Sequence, residues 1–446
     1  MLYGIVIYII FMTSISIYDF FKVKNFEEYT VAGKNQKFFP VFLSLMASMI
    51  GASATIGMTD RAVEVGFPAF WWLGVGAMGL IFQSVLLSEK IRSLNANTLP
   101  DIAMKTVGKE AKTLLALIIA VSWVGIIAAQ FASIVKLLTV AFDNTSTKLV
   151  TIIIAAIVII YTLFGGQTSV IKTDKVQSLI IAVGIIVTFL YVIVSKQGSG
   201  ETIITHIELL NEDVSVFDVV NLLFIVGGTY FLGPDIISRN LISKDGKTAK
   251  KAAFCAGVGL FVFSIIITMI GLWAKGNITD LNGCNPLIYI MKNYIPLPVE
   301  ILLCVALIAT LVSSADTCLI NAATIVENDL LGKKSVKEVR IIVLIIGVIS
   351  AVIAIFKTNI IELLTGAYSI YSPGIVIPLF VAIICHDRRK ICKALWYWGV
   401  IVGSLIGVLN TYLGLNVEYL PLVAMGISAV FSVLSVLVPN YKKIES

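Results

Sequence analysis

The residues best placed to do chemistry in this chain are oxygen donors in apolar surroundings. In Ala309-Thr310-Leu311-Val312-Ser313-Ser314-Ala315-Asp316-Thr317, the side chains of Thr310, Ser313, Ser314 and Thr317 fall mostly on one face of a helix. Such a face suits sodium, a hard cation that needs several oxygen ligands. A Ser-rich stripe in an apolar helix also acts as interhelical glue or bonds back to its own carbonyls, so the stripe alone does not define an ion site. The other ligands would be carbonyls released where a helix breaks. Two segments read as broken: Ser44-Leu45-Met46-Ala47-Ser48-Met49-Ile50-Gly51-Ala52-Ser53-Ala54-Thr55-Ile56-Gly57, and Ile225-Val226-Gly227-Gly228-Thr229-Tyr230-Phe231-Leu232-Gly233-Pro234. Glycine pairs loosen a helix and proline lacks a donor, which leaves carbonyls free to face a cation or solute.

The elements that carry these segments are long and apolar. The chain has 446 residues, 58% of them hydrophobic and only 13% charged, more apolar surface than a water-soluble core can hide. About thirteen runs are long enough to cross roughly 30 Å of hydrocarbon. They lie near 2–20, 39–60, 67–88, 113–140, 148–165, 175–195, 216–237, 252–274, 298–328, 341–356, 360–385, 394–413 and 420–439. The expected fold class is therefore an all-α integral membrane domain over 1–446.

Lys and Arg concentrate on alternate loops, as they do where loops are cytoplasmic. Of the 33 basic residues, all but Arg61, Lys136, Lys148, Lys196, Lys275, Lys292 and Lys357 fall on one side, while the longest loop of the other side holds Glu201, Glu208, Glu212 and Asp213. This predicts a multi-pass protein of the cell membrane with its N-terminus outside and its C-terminus cytoplasmic. No basic residue precedes the apolar run at 2–20, which argues for a span rather than a cleaved leader. The net charge of +6 follows from the loop asymmetry and points to lipid headgroups, not nucleic acid.

The two broken segments lie five spans apart, and because five is odd the unit beginning at span two must run opposite to the unit beginning at span seven. Inverted repeats over 39–195 and 216–385 are expected, with peripheral helices at 2–20 and 394–439. His206 and His386 fall in opposite loops, so no acid/base or metal constellation for an enzyme emerges. A membrane solute sensor on the same helices is a weaker alternative, and no obligatory protein partner is evident.

Several segments together resemble the sodium:solute symporter family, which includes bacterial proline, pantothenate, galactose and sialic acid carriers. They are Ser44 to Gly57, Thr98-Leu99-Pro100-Asp101, Phe164-Gly165-Gly166 through Thr173-Asp174-Lys175-Val176-Gln177, Gly233 to Ala253, and Val312-Ser313-Ser314-Ala315-Asp316. The resemblance implies a core of ten helices like that of the leucine transporter, with one helix before it and two after. It implies secondary active transport in which inward sodium movement drives uptake of a small organic solute, an amino acid, carboxylate or pantothenate-like compound, by alternating access. Proton-coupled or uncoupled transport through the same fold stays open.

For sodium, the resemblance implies the carbonyls of Ala47, Ile50 and Thr310 and the hydroxyls of Ser313 and Ser314. Asp174, Asp316 and Thr317 would form a second sodium or coupling site, or Asp174 and Asp316 would simply pair with basic neighbours such as Lys172 and Lys175. For the solute it implies Ser53, Phe70, Trp71, Gln130, Thr229 and Tyr230, with Trp72 beside them. Met49 stands where proline carriers have an acidic residue and Ala54 where sugar carriers have an amide, which argues against those substrates. Lys136 either receives a substrate carboxylate or snorkels to the interface, and Arg239 is expected in a cytoplasmic loop.

Overall fold

The computed structural model describes residues 2–23, 25–142, 146–194, 207–386, 390–412, 415, 417 and 419–438. His206, Lys196, Glu201 and the end positions 195 and 439 lie outside the described residues. Among those described, the chain is helical, with two isolated bridges, Gln36 to Ser243 and Asn211 to Val214, as its only β pairing. The membrane-length elements are α1 (Leu2–Lys22), the bent pair α2 (Phe38–Met49) and α3 (Ser53–Val65), α4 (Phe67–Leu86), α5 (Lys109–Ala141), α6 (Thr147–Val194) and α7 (Val216–Ile242). They continue with α8 (Gly246–Asn277), α9 (Leu297–Leu331), α10 (Val336–Phe356), α11 (Ile360–Cys385), α12 (Lys393–Tyr412) and α13 (Leu420–Leu437).

Among the described residues, eleven helices are long and apolar enough to cross a membrane, or twelve with α2 and α3 taken as one bent span. The difference from the expected thirteen lies in α6, which joins the runs at 148–165 and 175–195 in one element of 48 residues. A straight helix of that length would be about 72 Å long, more than twice a hydrocarbon core. It is not straight, because Gly166 sits at φ 60°, ψ −170°, outside helical geometry. A side chain at Gly166 would also lie 2.6 Å from the ring of Tyr29.

The outward surface is apolar, with Phe82, Ile152, Leu179, Val262 and Ile345 all exposed. The interior holds Arg239, Asp174, Asp316, Gln130 and many hydroxyls. This is the distribution a chain adopts when lipid is its solvent and polar groups must find partners inside the bundle.

Two breaks organise that interior. α2 and α3 meet at a bend of 60°, where Ile50 leaves helical geometry at φ −88°, ψ 87°. α7 breaks at Gly233, which is extended at φ −65°, ψ 143° before Pro234 opens the second half. A Cβ at Gly233 would come within 2.4 Å of the Thr229 carbonyl, so the break needs a residue without one. π-helical turns flank both breaks, at Ser53–Gly57 and Leu223–Gly227. α2 packs against α6, α8 and α9, and the middle of α7 packs against α4. α1 lies against α6 and α9, and α12 and α13 pair at the periphery.

Candidate functional site

The break in α2 is held from α9 by two hydroxyls. Ser313 Oγ donates to the Ala47 carbonyl at 2.8 Å and to its own helix at Thr310 at 3.0 Å. Ser314 Oγ reaches the Ser48 carbonyl at 2.9 Å and the Ile50 carbonyl at 3.5 Å. Ala47, Ile50, Thr310, Ser313 and Ser314 are thus gathered at one point, all buried. A hydroxyl has one hydrogen and two lone pairs, so with its O–H rotated away each serine oxygen has a lone pair to offer a cation beside these carbonyls.

One turn further along α9 lies a charged layer. Arg239 is fully buried, and its guanidinium bonds Ser48 Oγ at 2.7 Å, Thr317 Oγ1 at 2.7 Å, Ser44 Oγ at 3.1 Å and Asp174 Oδ2 at 3.1 Å. Ser44 Oγ also donates to Asp174. Asp174 Oδ1 and both oxygens of Asp316 have no hydrogen-bond partner among the described residues, though Asp316 is completely buried. Near the end of α9 a further ionic layer joins Lys112 to Asp101 at 2.9 Å and to Asp329 at 3.1 Å.

Beside the serines a cavity opens, with a free volume of about 50 Å³. Ser53, Gln130, Thr229, Tyr230, Trp123 and Asp235 are among its lining residues, and Ser314 is part of its wall. Gln130 Oε1 accepts from the Ala52 amide at 3.0 Å, and Tyr230 donates its hydroxyl to the Met49 carbonyl at 3.0 Å, so both residues also satisfy backbone groups released by the α2 break. A larger cleft of about 700 Å³ lies toward the end of the bundle bearing Asp60, Arg61, Lys136 and Asp213.

Phe70 and Trp71 are not among the residues lining that small cavity. Phe70 packs on Phe67, Trp71 and Phe261, and Trp71 Nε1 donates to the Leu209 carbonyl at 2.7 Å. Trp72 lines the larger cleft. Lys136 pairs with Asp60 at 3.3 Å. The neighbours considered for Asp174 go elsewhere in one case: Lys172 pairs with Asp19. Arg239, expected in a loop, instead lies in the second half of α7 and inside the bundle. Asp235, Trp123 and Tyr368 are cavity residues that sequence reasoning missed. The available signal was Gly233-Pro234-Asp235, an extended residue, a proline at the first helical position and an acid in the first turn, which together mark a helix start.

Comparison with known proteins places the chain in a family and a fold. The model of the sodium:solute symporter family matches residues 29–403. The osmoregulated proline transporter OpuE of Bacillus subtilis (strain 168) is 25% identical over 90% of this chain and 86% of its own length. The sodium/glucose cotransporter of Vibrio parahaemolyticus is 24% identical over 69% of this chain and 63% of its own. Among solved structures, a substrate-bound, outward-open Na+-coupled sialic acid symporter superposes with a TM-score of 0.80, covering 97% of both chains at 14% identity. MhsT in complex with L-phenylalanine superposes at 0.60, over 90% of this chain and 99% of its own, at 13% identity. Those likenesses carry the fold, a leucine-transporter-like bundle, and the family match carries the activity. The chain belongs to the sodium:solute symporter family: it is a multi-pass membrane transporter, not an enzyme, and couples sodium to solute uptake by alternating access.

Proposed function

We propose that the sodium used for coupling binds between α2 and α9, on the carbonyls of Ala47, Ile50 and Thr310 and the hydroxyls of Ser313 and Ser314. The observation that carries this reading is the pair of hydroxyl contacts from Ser313 and Ser314 to carbonyls around the α2 break. An ion there exists as a full ligand set only while α9 and α2 are together, so binding favours that arrangement over one in which they separate. The small organic solute sits next to it, against Ser53, Gln130, Thr229 and Tyr230. Ser314 belongs to both places, which makes the two affinities reciprocal. Phe70 and Trp71 support the wall from behind rather than touching the solute. Asp174, Asp316 and Thr317 form the second cation or coupling site.

The bundle end with Asp60 and Lys136 faces outside, and the Lys112 layer faces the cytoplasm, in the cell-membrane orientation the basic loops favour. In this reading the 700 Å³ cleft is the entry path and the charged layers of Arg239 and Lys112 are the closed inner side. Residues 39–195 and 216–385 are the two inverted repeats. A free volume of about 50 Å³ has room for little more than water, so the solute enters a cavity that must widen around it.

The test is a titration of thermal stability and of uptake into proteoliposomes, with sodium replaced by potassium. Wild type should respond to sodium, and the Ser313→Ala/Ser314→Ala protein should need far more of it. An identical sodium titration in the two proteins would remove the site.

A further inference from the structure

Asp235 is a carboxylate of the cavity wall whose partners are all neutral donors. Trp123 Nε1, which has a hydrogen to give and no lone pair to offer, lies 3.2 Å from Oδ1 and 3.0 Å from Oδ2. Asn321 Nδ2 donates to Oδ1 at 2.9 Å and Cys318 Sγ to Oδ2 at 3.4 Å. Trp123 can only donate, and Asn321 and Cys318 have hydrogens to give to the same two oxygens, a donor set that suits an anion. The carboxyl also sits in the first turn of the helix at Pro234–Ile242, where backbone amides favour negative charge.

No basic side chain forms an ion pair with Asp235 among the described residues, and Arg239, the buried cation on its own helix, is committed to Asp174. The region holds three buried carboxylates, Asp174, Asp235 and Asp316, and Arg239 as its buried cation among the described residues. An isolated buried charge is costly unless something of opposite sign arrives to pair with it. Around Asp235 the cavity is completed by the aromatic side chains of Trp123, Tyr230 and Tyr368, whose faces attract organic cations.

We propose that the transported solute carries a protonated amine, and that Asp235 receives it. The ammonium group takes the cavity-facing side of the carboxylate, within the aromatic walls, while the rest of the solute extends toward Gln130 and Ser53. This rests on the cavity's being the solute site and adds the chemical class: a small organic ammonium or amino acid, as opposed to a sugar or a simple carboxylate. A neutral or anionic solute would leave the carboxylate without a countercharge.

The experiment uses the purified full chain in potassium buffer, with and without sodium. Ethylammonium and ethanolamine are the probes, with 1-propanol and ethylene glycol as uncharged counterparts, and both tryptophan fluorescence and thermal stability are read. Saturable responses to the two ammonium ions alone are expected. They should weaken about 30-fold in Asp235→Asn, which keeps the shape and removes the charge, and survive in part in Asp235→Glu. Sodium-induced stabilisation of each variant serves as the folding check. Equal responses to charged and uncharged probes, no saturable ammonium response in wild type, or an undiminished one in Asp235→Asn would each overturn the proposal. Failure of sodium to stabilise wild type would instead count against the sodium site, because the ammonium arm is also read without sodium.

Discussion

Arg239 and Asp174 form an ion pair at 3.1 Å in which both side chains are wholly buried, bringing the second half of α7 against α6. Ser44 and Ser48 of α2 and Thr317 of α9 bond the same guanidinium, so one side chain ties four helices together directly beneath the serine pair. A buried pair of this kind adds little net stability over apolar packing, but breaking half of it is expensive because the other charge is left alone. Its value is positional: it fixes how α7 sits against α2 and α9.

Arg239→Met alone should therefore lower stability by about 3–5 kcal/mol, and the double variant Arg239→Met/Asp174→Leu should recover much of that loss. Denaturation of the two proteins in one detergent, compared with Asp174→Leu alone, measures it. A double variant no better than the sum of the singles would mean that the two charges act separately.

The serine pair allows a sharper separation of roles. Ser313→Ala removes one hydroxyl from the proposed ion site and leaves the Ala47 carbonyl without its present donor at 2.8 Å. The structural loss should be about 1 kcal/mol, while the half-effective sodium concentration should rise about tenfold or more, a change of about 1.4 kcal/mol in ion affinity. Sodium titration of thermal stability gives both numbers from one data set. A stability loss with no shift in the sodium midpoint would leave Ser313 as interhelical glue only.

Much of this arrangement was legible in the residues, and the exceptions have physical causes. Apolar run length exposes a membrane span, and Gly227-Gly228 with Gly233-Pro234 exposes a weak helix, because both are local properties. Burial of a charge is not local. Arg239 reads as a loop residue because four lysines follow it within twelve positions, and only its distant partners Ser44, Asp174 and Thr317 explain why it lies inside. Phe70 and Trp71 resemble pocket aromatics by type, yet the direction each faces depends on Phe67, Phe261 and the Leu209 carbonyl. The runs at 148–165 and 175–195 join in one helical element for a related reason: at Gly166 a single glycine with positive φ turns the chain without the polar loop that normally marks a boundary between spans.

That glycine supplies a stability test remote from the binding site. Gly166 has φ 60°, and a Cβ there would lie 2.6–2.8 Å from the Tyr29 ring and carbonyl. Gly166→Ala should cost about 1–2 kcal/mol for the left-handed backbone and more for the clash. The unfolding midpoint should fall by several degrees while the sodium midpoint of the folded fraction stays in place. Wild-type stability in Gly166→Ala would show that the turn relaxes at no cost.

Lys136 and Gln130 lie on the same helix and separate substrate recognition from surface pairing. Lys136 and Asp60 are each more than a third exposed, and exposed pairs contribute about 0–1 kcal/mol. Lys136→Met should leave the KM for uptake within about twofold of wild type, and a much larger increase would restore Lys136 as a receptor for a substrate carboxylate. Gln130 needs a finer substitution, because Gln130→Ala would also strip the Ala52 amide of its acceptor. Gln130→Glu keeps an acceptor for Ala52 and removes the amide donor from the cavity. If Gln130 serves the solute, the glutamate variant, whose buried carboxyl itself costs some stability, should change KM in the protein that still folds; if Gln130 serves only the α2 break, KM should stay put while Gln130→Ala loses stability, since the alanine leaves a buried amide unpaired.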